Sequence, residues 1–248
     1  MIKKINKLIG IMSVKFYRDI FISKHVAAGI ENEEFFNYLN SKEFETIVDI
    51  GANRGQFALV GRRHFSNANI YSFEPLNEPA VIFRSIFAKD IRTKLYEFAI
   101  GPEETKSTIH ISYADDASSL LPITNLQCEL YPGTSEKDTR MIIVKPLDAI
   151  LTTADIQMPA LLKIDVQGFE KQVLEGCKSL LPLFSYVYIE CSFVELYKGQ
   201  ALAHEIISFL LDCRFILNGV YNIDKDKKGI PVQGDFLFTQ QNPSNQES

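Results

Sequence analysis

The sequence has no apolar run of the roughly 20 residues that a membrane-spanning helix requires. Charged residues interrupt its N-terminal segment, so we expect no cleaved signal peptide there. Cysteine is also scarce. The four cysteines include no Cys-x-x-Cys pair, which argues against a disulfide scaffold and against a zinc site. Free thiols are typical of a reducing compartment, and we therefore expect a cytoplasmic protein.

An excess of basic residues is absent as well, because the formal net charge is −5. A general nucleic-acid binder usually carries a basic face, so nucleic acid is not the expected partner. The composition is that of an ordinary globular protein, with 46% hydrophobic and 23% charged residues. The 248 residues suffice for one large α/β domain with a short appendage.

The most informative stretch is 46–57, where an apolar run ends at Asp49 and is followed by a glycine loop and a helical pattern. A strand, loop and helix in this order direct backbone N–H groups toward a bound cofactor. The middle glycine of the dinucleotide fingerprint is replaced by Asn53, which argues against pyrophosphate binding. The Asp-x-Gly-x-x-x-Gly form, with Gly51 and Gly55, resembles the first motif of methyltransferases that depend on S-adenosylmethionine (SAM).

A second strand pattern, 69–73, ends at Glu74 and Pro75. In nucleotide-binding α/β folds, an acid about 20 residues beyond the glycine loop accepts hydrogen bonds from ribose hydroxyls. The loop and this acid together predict a nucleoside-containing cofactor at the carboxyl ends of the first two strands.

The rest of the chain alternates strand and helix patterns. Core strands are predicted at 46–50, 69–73, 94–100, 160–164, 186–189, 214–217 and 235–239. The last two have no crossover helix between them, so they should pair antiparallel. We therefore predict an α/β fold of the Rossmann-like class I methyltransferase type. It has a mostly parallel seven-stranded sheet with an antiparallel last strand, plus an N-terminal helical cap.

The predicted domain organisation has three parts: an N-terminal helical extension (1–40), a methyltransferase domain (41–240) and a disordered tail (241–248). Within the domain, 102–146 reads as an inserted hairpin with a long mobile loop. In the extension, apolar residues recur every three or four positions between Ile2 and Ile20, which predicts an amphipathic helix flanked by lysines. Two interpretations remain open. The helix docks on its own domain or on a twin subunit, giving a homodimer, or it lies peripherally on an anionic membrane.

Taken in order, several segments resemble the FkbM family of SAM-dependent methyltransferases. The segments are VDIGANRGQF, YSFEP, EFAIG, KPLDAIL and LLKIDVQGFEKQVLEG. The resemblance runs from Thr46 to Phe238 and implies transfer of a methyl group from SAM to a hydroxyl oxygen of a small molecule, sugar or glycan. The family often carries Glu where this chain has Gln167, which leaves the role of that position in doubt.

The resemblance also implies roles for individual residues. Its implied cofactor-binding residues are Asp49, Gly51, Asn53 and Gly55 at the methionine end of SAM, Glu74 and Pro75 at the ribose, and Ala99 beside the adenine. Ser118 and Ser119 of the insertion are further candidates for contact with cofactor or substrate.

Catalysis would use the acids at the ends of the fourth and fifth strands. An alcohol needs a positioned base to become a nucleophile, and Asp165 is the first candidate, with Glu190 assisting. The same two carboxylates could hold Mg2+, although no metal is expected. His204 is a weaker candidate base. Two alternatives to a methyltransferase remain. One is a SAM-binding module without catalysis, and the other is an NAD-linked oxidoreductase, which the missing middle glycine of the dinucleotide fingerprint disfavours.

Overall fold

The computed structural model describes residues 2–39 and 43–241. Its helices are α1 (Ile2–Ser13), α2 (Lys15–Lys24), α3 (Glu33–Leu39), α4 (Gln56–His64), α5 (Asn77–Phe87), α6 (Asn125–Leu130), α7 (Glu170–Cys177) and α8 (Ala203–Asp212). Its strands are β1 (Thr46–Ile50), β2 (Asn69–Phe73), β3 (Thr93–Tyr96), β4 (Ala99–Ile100), β5 (Thr105–Ser112), β6 (Glu136–Lys145), β7 (Ala160–Ile164), β8 (Tyr186–Ser192), β9 (Phe215–Lys225) and β10 (Pro231–Gln240).

The core of the molecule is a seven-stranded sheet with the order β3-β2-β1-β7-β8-β10-β9. Its first five strands are parallel to one another. Helical crossovers join β1 to β2, β2 to β3 and β7 to β8, as parallel neighbours require, and the second sheet lies in the connection from β3 to β7. β10 runs antiparallel to both β8 and β9. The predicted sheet with an antiparallel last strand is therefore confirmed.

β1, β2 and β7 begin and end at the residues predicted from the sequence. Every residue of β1 and β7 is buried, because helices cover both faces of the sheet. This burial explains why both strands read as short continuous apolar runs. The parallel pairing of β1 with β7 places the residues that follow these strands, from Gly51 and from Asp165 onward, at one edge of the sheet.

The single strand predicted at 94–100 is wrong. β3 pairs with β2, whereas β4 pairs with β6 in a second sheet of order β4-β6-β5. The chain leaves the main sheet after Tyr96, and an alternating apolar pattern does not show where a strand changes its partner.

The hairpin predicted within 102–146 is confirmed as the antiparallel pair β5 and β6. β6 begins at Glu136, five residues earlier than the apolar pattern at 141–145 indicates, because its first half is polar and exposed. The loop between the strands was expected to be mobile. It carries α6, whose N-cap Thr124 accepts a hydrogen bond from the backbone of Gln127.

The amphipathic helix predicted in the N-terminal extension is divided into α1 and α2, because Val14 between them has an extended backbone. Ile11 and Tyr17 dock these helices on the domain. Of the apolar face identified in the sequence, Ile5, Ile9, Met12 and Phe16 are exposed, and Ile20 packs against the core. The boundary expected at 40–41 lies outside the described residues, as does the tail apart from Gln241. Across 2–39 and 43–241, no helix combines the length and the apolar character needed to cross a membrane.

Candidate active site

A cleft of about 1070 Å³ opens at the carboxyl ends of β1, β2, β7 and β8. Ligands of doubly wound sheets bind at this edge. The N-terminal segment 25–32 and the insertion 116–134 contribute further walls. Single-ligand sites usually enclose roughly 300–1,000 Å³, so the cleft has room for a cofactor together with an acceptor.

The glycine loop between β1 and α4 forms the floor of the cleft. Gly51 and Gly55 have positive φ angles of 81° and 88°. A Cβ at Gly51 would lie 1.9 Å from the carbonyl oxygen of Asp165, and one at Gly55 would lie 2.9 Å from the rings of Phe83 and Phe87. Contacts within the chain therefore already require both glycines.

Glu74 connects this loop to the end of β2. Its two carboxylate oxygens accept hydrogen bonds from the backbone N–H groups of Asn53 and Leu76, each at 2.9 Å. Burial raises the pKa of Glu74 to about 7, even though these hydrogen bonds oppose the shift. Each oxygen retains a lone pair, which ribose hydroxyls can satisfy in the way the sequence predicts.

The predicted cofactor-binding residues fall into two groups. Those on the wall of the cleft are Gly51, Asn53, Glu74, Pro75 and Ala99. Asp49 and Gly55 lie beneath the wall, and Asp49 is completely buried. The assignment of all seven to the cofactor stays a prediction. Ser118 and Ser119 of the insertion also line the cleft.

Lys163 is a buried cation that the sequence reasoning missed. Its ammonium lies 3.2 Å from Asp49 Oδ1 and 3.8 Å from Asp165 Oδ2, and it donates a hydrogen bond to the carbonyl of Gly51. Burial alone would lower the pKa of Lys163, but the two carboxylates outweigh it and raise that pKa. The signal in the sequence was a lone lysine inside the apolar strand at 160–164.

Asp165 and Glu190, the two predicted catalytic acids, lie on the opposite wall of the cleft from Glu74 and are bridged by one side chain. The amide nitrogen of Gln167 donates to Asp165 Oδ1 at 2.8 Å and to Glu190 Oε2 at 3.1 Å. Gln167 has a positive φ of 59°. Its amide oxygen accepts from the hydroxyl of Tyr197, and its carbonyl accepts from Ser119 Oγ.

The environment of Glu190 favours its neutral form. Burial and then the negative charge of Asp165 raise the pKa of Glu190 well above its usual range. Its second oxygen accepts a hydrogen bond from Gln233 at 3.1 Å. Both acids line the cleft, and 38% of the Asp165 side chain is exposed. Both oxygens of Glu190 accept hydrogen bonds from amide side chains, whereas only Oδ1 of Asp165 does so.

Asp235 on β10 is a third acid on this side of the cleft, and the sequence reasoning did not identify it. Its Oδ2 accepts from Asn222 at 2.8 Å and lies 3.1 Å from the hydroxyl of Tyr188. Burial raises the pKa of Asp235 to about 6. The hydroxyl of Tyr188 is also 3.1 Å from Asn32, which links the N-terminal segment to the site.

Two other candidates are placed differently. The amide of Gln167 donates to both Asp165 and Glu190, the two carboxylates considered for Mg2+. Among the residues that the structure describes, no group of three or more His, Cys, Asp or Glu side chains is arranged to hold a metal ion. His204 is exposed on α8 and is not part of the cleft wall.

Comparison with known proteins agrees with this geometry. The sequence matches the family described as Methyltransferase FkbM domain over residues 49–217. It is 28% identical over 183 residues to the 2-O-methyltransferase NoeI of Sinorhizobium fredii, covering 69% of this chain and 73% of that protein. A crystal structure from Klebsiella pneumoniae, described as a candidate O-methyltransferase, superposes with a TM-score of 0.53 at 11% identity, covering 92% and 91% of the two chains. That likeness shows the fold alone, and with the sheet order it establishes the Rossmann-like class I architecture.

Proposed function

The chain belongs to the FkbM methyltransferase family, and from this premise we propose that it transfers the methyl group of SAM to a hydroxyl oxygen of a small molecule, sugar or glycan. One observation carries the proposal. A single cleft holds a buried acid suited to ribose, Glu74, and a carboxyl group suited to proton removal, Asp165, which Gln167 links to Glu190. The similarity to a 2-O-methyltransferase supports oxygen as the acceptor atom.

The residues of the cleft fit SAM. Glu74 would accept hydrogen bonds from the ribose hydroxyls, and Ala99 would border the adenine. The loop at 51–54 would hold the methionine end. When bound, SAM would supply a methyl group on a sulfonium, whose carbon an oxygen nucleophile can attack in line while the thioether of the demethylated product leaves.

Asp165 is proposed as the base that takes the acceptor's proton. The amide of Gln167 holds Oδ1 of Asp165, which leaves Oδ2 directed away from that hydrogen bond. As the new O–CH3 bond forms and the S–CH3 bond breaks, the hydroxyl proton passes to Asp165. The ammonium of Lys163 lies 3.8 Å from the same Oδ2 atom. We propose no metal in this reaction, so EDTA should leave the rate unchanged.

Calorimetry on the purified protein tests the cofactor. SAM and its demethylated product should bind with micromolar affinity, with or without Mg2+, and NAD should not bind. Binding of NAD in place of SAM would make the protein an oxidoreductase and would refute the proposal.

Substitution of Asp165 separates an enzyme from a SAM-binding module. Asp165→Asn should lower kcat by about 10²- to 10⁴-fold, the usual contribution of a positioned base. Its affinity for SAM should change little. Asp212→Asn, at an exposed position at the end of α8, is the matched control and should leave kcat unchanged. Activity is first sought with hydroxylated sugars and glycans. SAM binding without transfer to any acceptor in the screen would favour the non-catalytic alternative.

A further inference from the structure

The two N-terminal helices expose an unusual amount of apolar surface. Ile9 on α1 is 61% exposed. The other large apolar side chains of this pair that are at least 40% exposed are Ile5, Leu8, Met12, Phe16 and Ile22. Contiguous exposed apolar patches on a folded domain usually mark an interaction surface.

The same helices carry positive charge. Residues 1–25 contain six Lys and Arg residues and one acid, which gives this segment a formal charge of +5. Because the whole chain has a net charge of −5, the remaining residues carry a net charge of −10. Lys15 pairs only loosely with Asp19, at 3.5 Å, and its side chain is 83% exposed. A cationic segment with exposed apolar residues is the combination found in helices that lie in the interface of anionic membranes.

Charge also argues against a second copy of the chain as the occupant. In a twofold-symmetric dimer each subunit presents the same patch to its partner. Such a dimer would bring two segments of charge +5 together. An anionic lipid surface satisfies both the charge and the apolar side chains. We propose that α1 and α2 bind the anionic surface of a lipid membrane.

The position of the helices gives this binding a geometric consequence. Lys7 on α1 and His25 directly after α2 both line the cleft. Lys7 is held there by an ion pair of 2.7 Å with Glu31. A membrane held by α1 and α2 would therefore lie beside the mouth of the cleft. The binding itself does not depend on the proposed methyl transfer.

A fluorescent probe tests the proposal directly, because the chain contains no tryptophan. Ile9→Trp places one on the exposed apolar face, and Ile91→Trp places one at a position that is 91% exposed elsewhere. The full-length variants are mixed with vesicles of phosphatidylcholine, alone or with about one third phosphatidylglycerol. The emission of the Ile9→Trp variant should shift to shorter wavelength only with the vesicles that contain phosphatidylglycerol, and added salt should reverse the shift. The emission of the Ile91→Trp control should not shift with either kind of vesicle.

Vesicle sedimentation measures the charge contribution. Lys15→Gln with Lys24→Gln should weaken binding about 25-fold, because each lysine near an anionic surface contributes about 1 kcal/mol, which is about fivefold in affinity. Lys227→Gln with Lys228→Gln changes the net charge equally at the β9–β10 turn and should have no effect. All four positions are exposed, so the variants should melt like the parent protein.

Three results would overturn the proposal. One is an unshifted Ile9→Trp emission with both kinds of vesicle. Another is equal binding to neutral and anionic vesicles. The third is a protein that does not bind vesicles but forms a concentration-dependent dimer in analytical ultracentrifugation, which Ile9→Ser abolishes. The exposed apolar face would then be a contact between copies of the chain.

Discussion

Replacing Gln167 with glutamate tests whether its amide holds the two acids of the site together. The amide nitrogen is the shared donor to Asp165 and Glu190. Gln167→Glu removes that donor and introduces a third acceptor at nearly the same volume. If the new carboxyl ionises, it adds a negative charge beside Asp165 and the buried Glu190. If it stays protonated, it can donate to only one of the two acids.

The magnitude follows from the cost of keeping the new carboxyl neutral. A glutamate with an ordinary pKa near 4.3 loses about 1.4 kcal/mol for each pH unit above that value at which it must stay protonated. The folded variant then binds more protons than its unfolded chain, so its free energy of unfolding falls as pH rises. The deficit against the parent should grow by at most about 2.7 kcal/mol between pH 5 and pH 7. Water reaching Asp165 will reduce this figure.

Urea denaturation, followed by circular dichroism at several pH values, measures this deficit. Gln157→Glu is the matched control, because its side chain is exposed and its deficit should be near zero at each pH. A deficit for Gln167→Glu that is the same at pH 5 and pH 7 would refute the reasoning. Wild-type stability of the variant at pH 7 would refute it as well.

Three further predictions rest on other contacts of the site. Lys163→Met leaves the fully buried Asp49 without its cation and should lower the free energy of unfolding, measured by urea denaturation, by about 3–5 kcal/mol. Adding Asp49→Asn should recover much of this loss. No recovery would mean that the loss does not come from leaving Asp49 unpaired. Burial raises the pKa of Glu74 to about 7, so its contribution to the free energy of unfolding is complete below about pH 4.5 and declines by about 3 kcal/mol up to pH 7. Glu74→Gln should therefore flatten the dependence of this free energy on pH between pH 4.5 and pH 7. An unchanged pH dependence would exclude Glu74 as the titrating group. Gly51→Ala would put a Cβ 1.9 Å from a carbonyl oxygen and should prevent folding, as judged by thermal melting. Gly133→Ala is also at a positive φ but has open space around it, so it should lower the free energy of unfolding by only about 1 kcal/mol. Similar melting curves for the two variants would contradict the packing argument.

The sequence predicted best the parts of the fold that depend on local pattern. β1, β2 and β7 were located to the residue, because each is a buried apolar run that ends at a glycine or an acid. β9 was predicted only at 214–217, but it extends from Phe215 to Lys225. The part that was missed, 218–225, is mostly exposed and mixes polar residues with Val220 and Ile223, so it contains no continuous apolar run.

The site divides in the same way. Glu74, Asp165 and Glu190 could be predicted because each directly follows a strand pattern in the sequence, at the edge where ligands bind, although β8 continues past Glu190 to Ser192. Gln167 was noticed only as a departure from the family, and its bridging role depends on Glu190, which lies 23 residues away. Asp235 could not be inferred, because its partner Tyr188 reaches it only through the antiparallel pairing of β10 with β8.

The position of β10 bears on how a nascent chain reaches its final state. β10 leaves the ribosome after every other strand that the structure describes, yet it lies between β8 and β9 in the finished sheet. Until it emerges, β8 has an open edge and β9 has no partner on which to pair. Asp235, the acid that β10 brings to the cleft, arrives with it. The synthesis of β10 therefore completes the sheet and this part of the cleft wall in one step, and a ribosome stalled before residue 231 would hold a chain with neither.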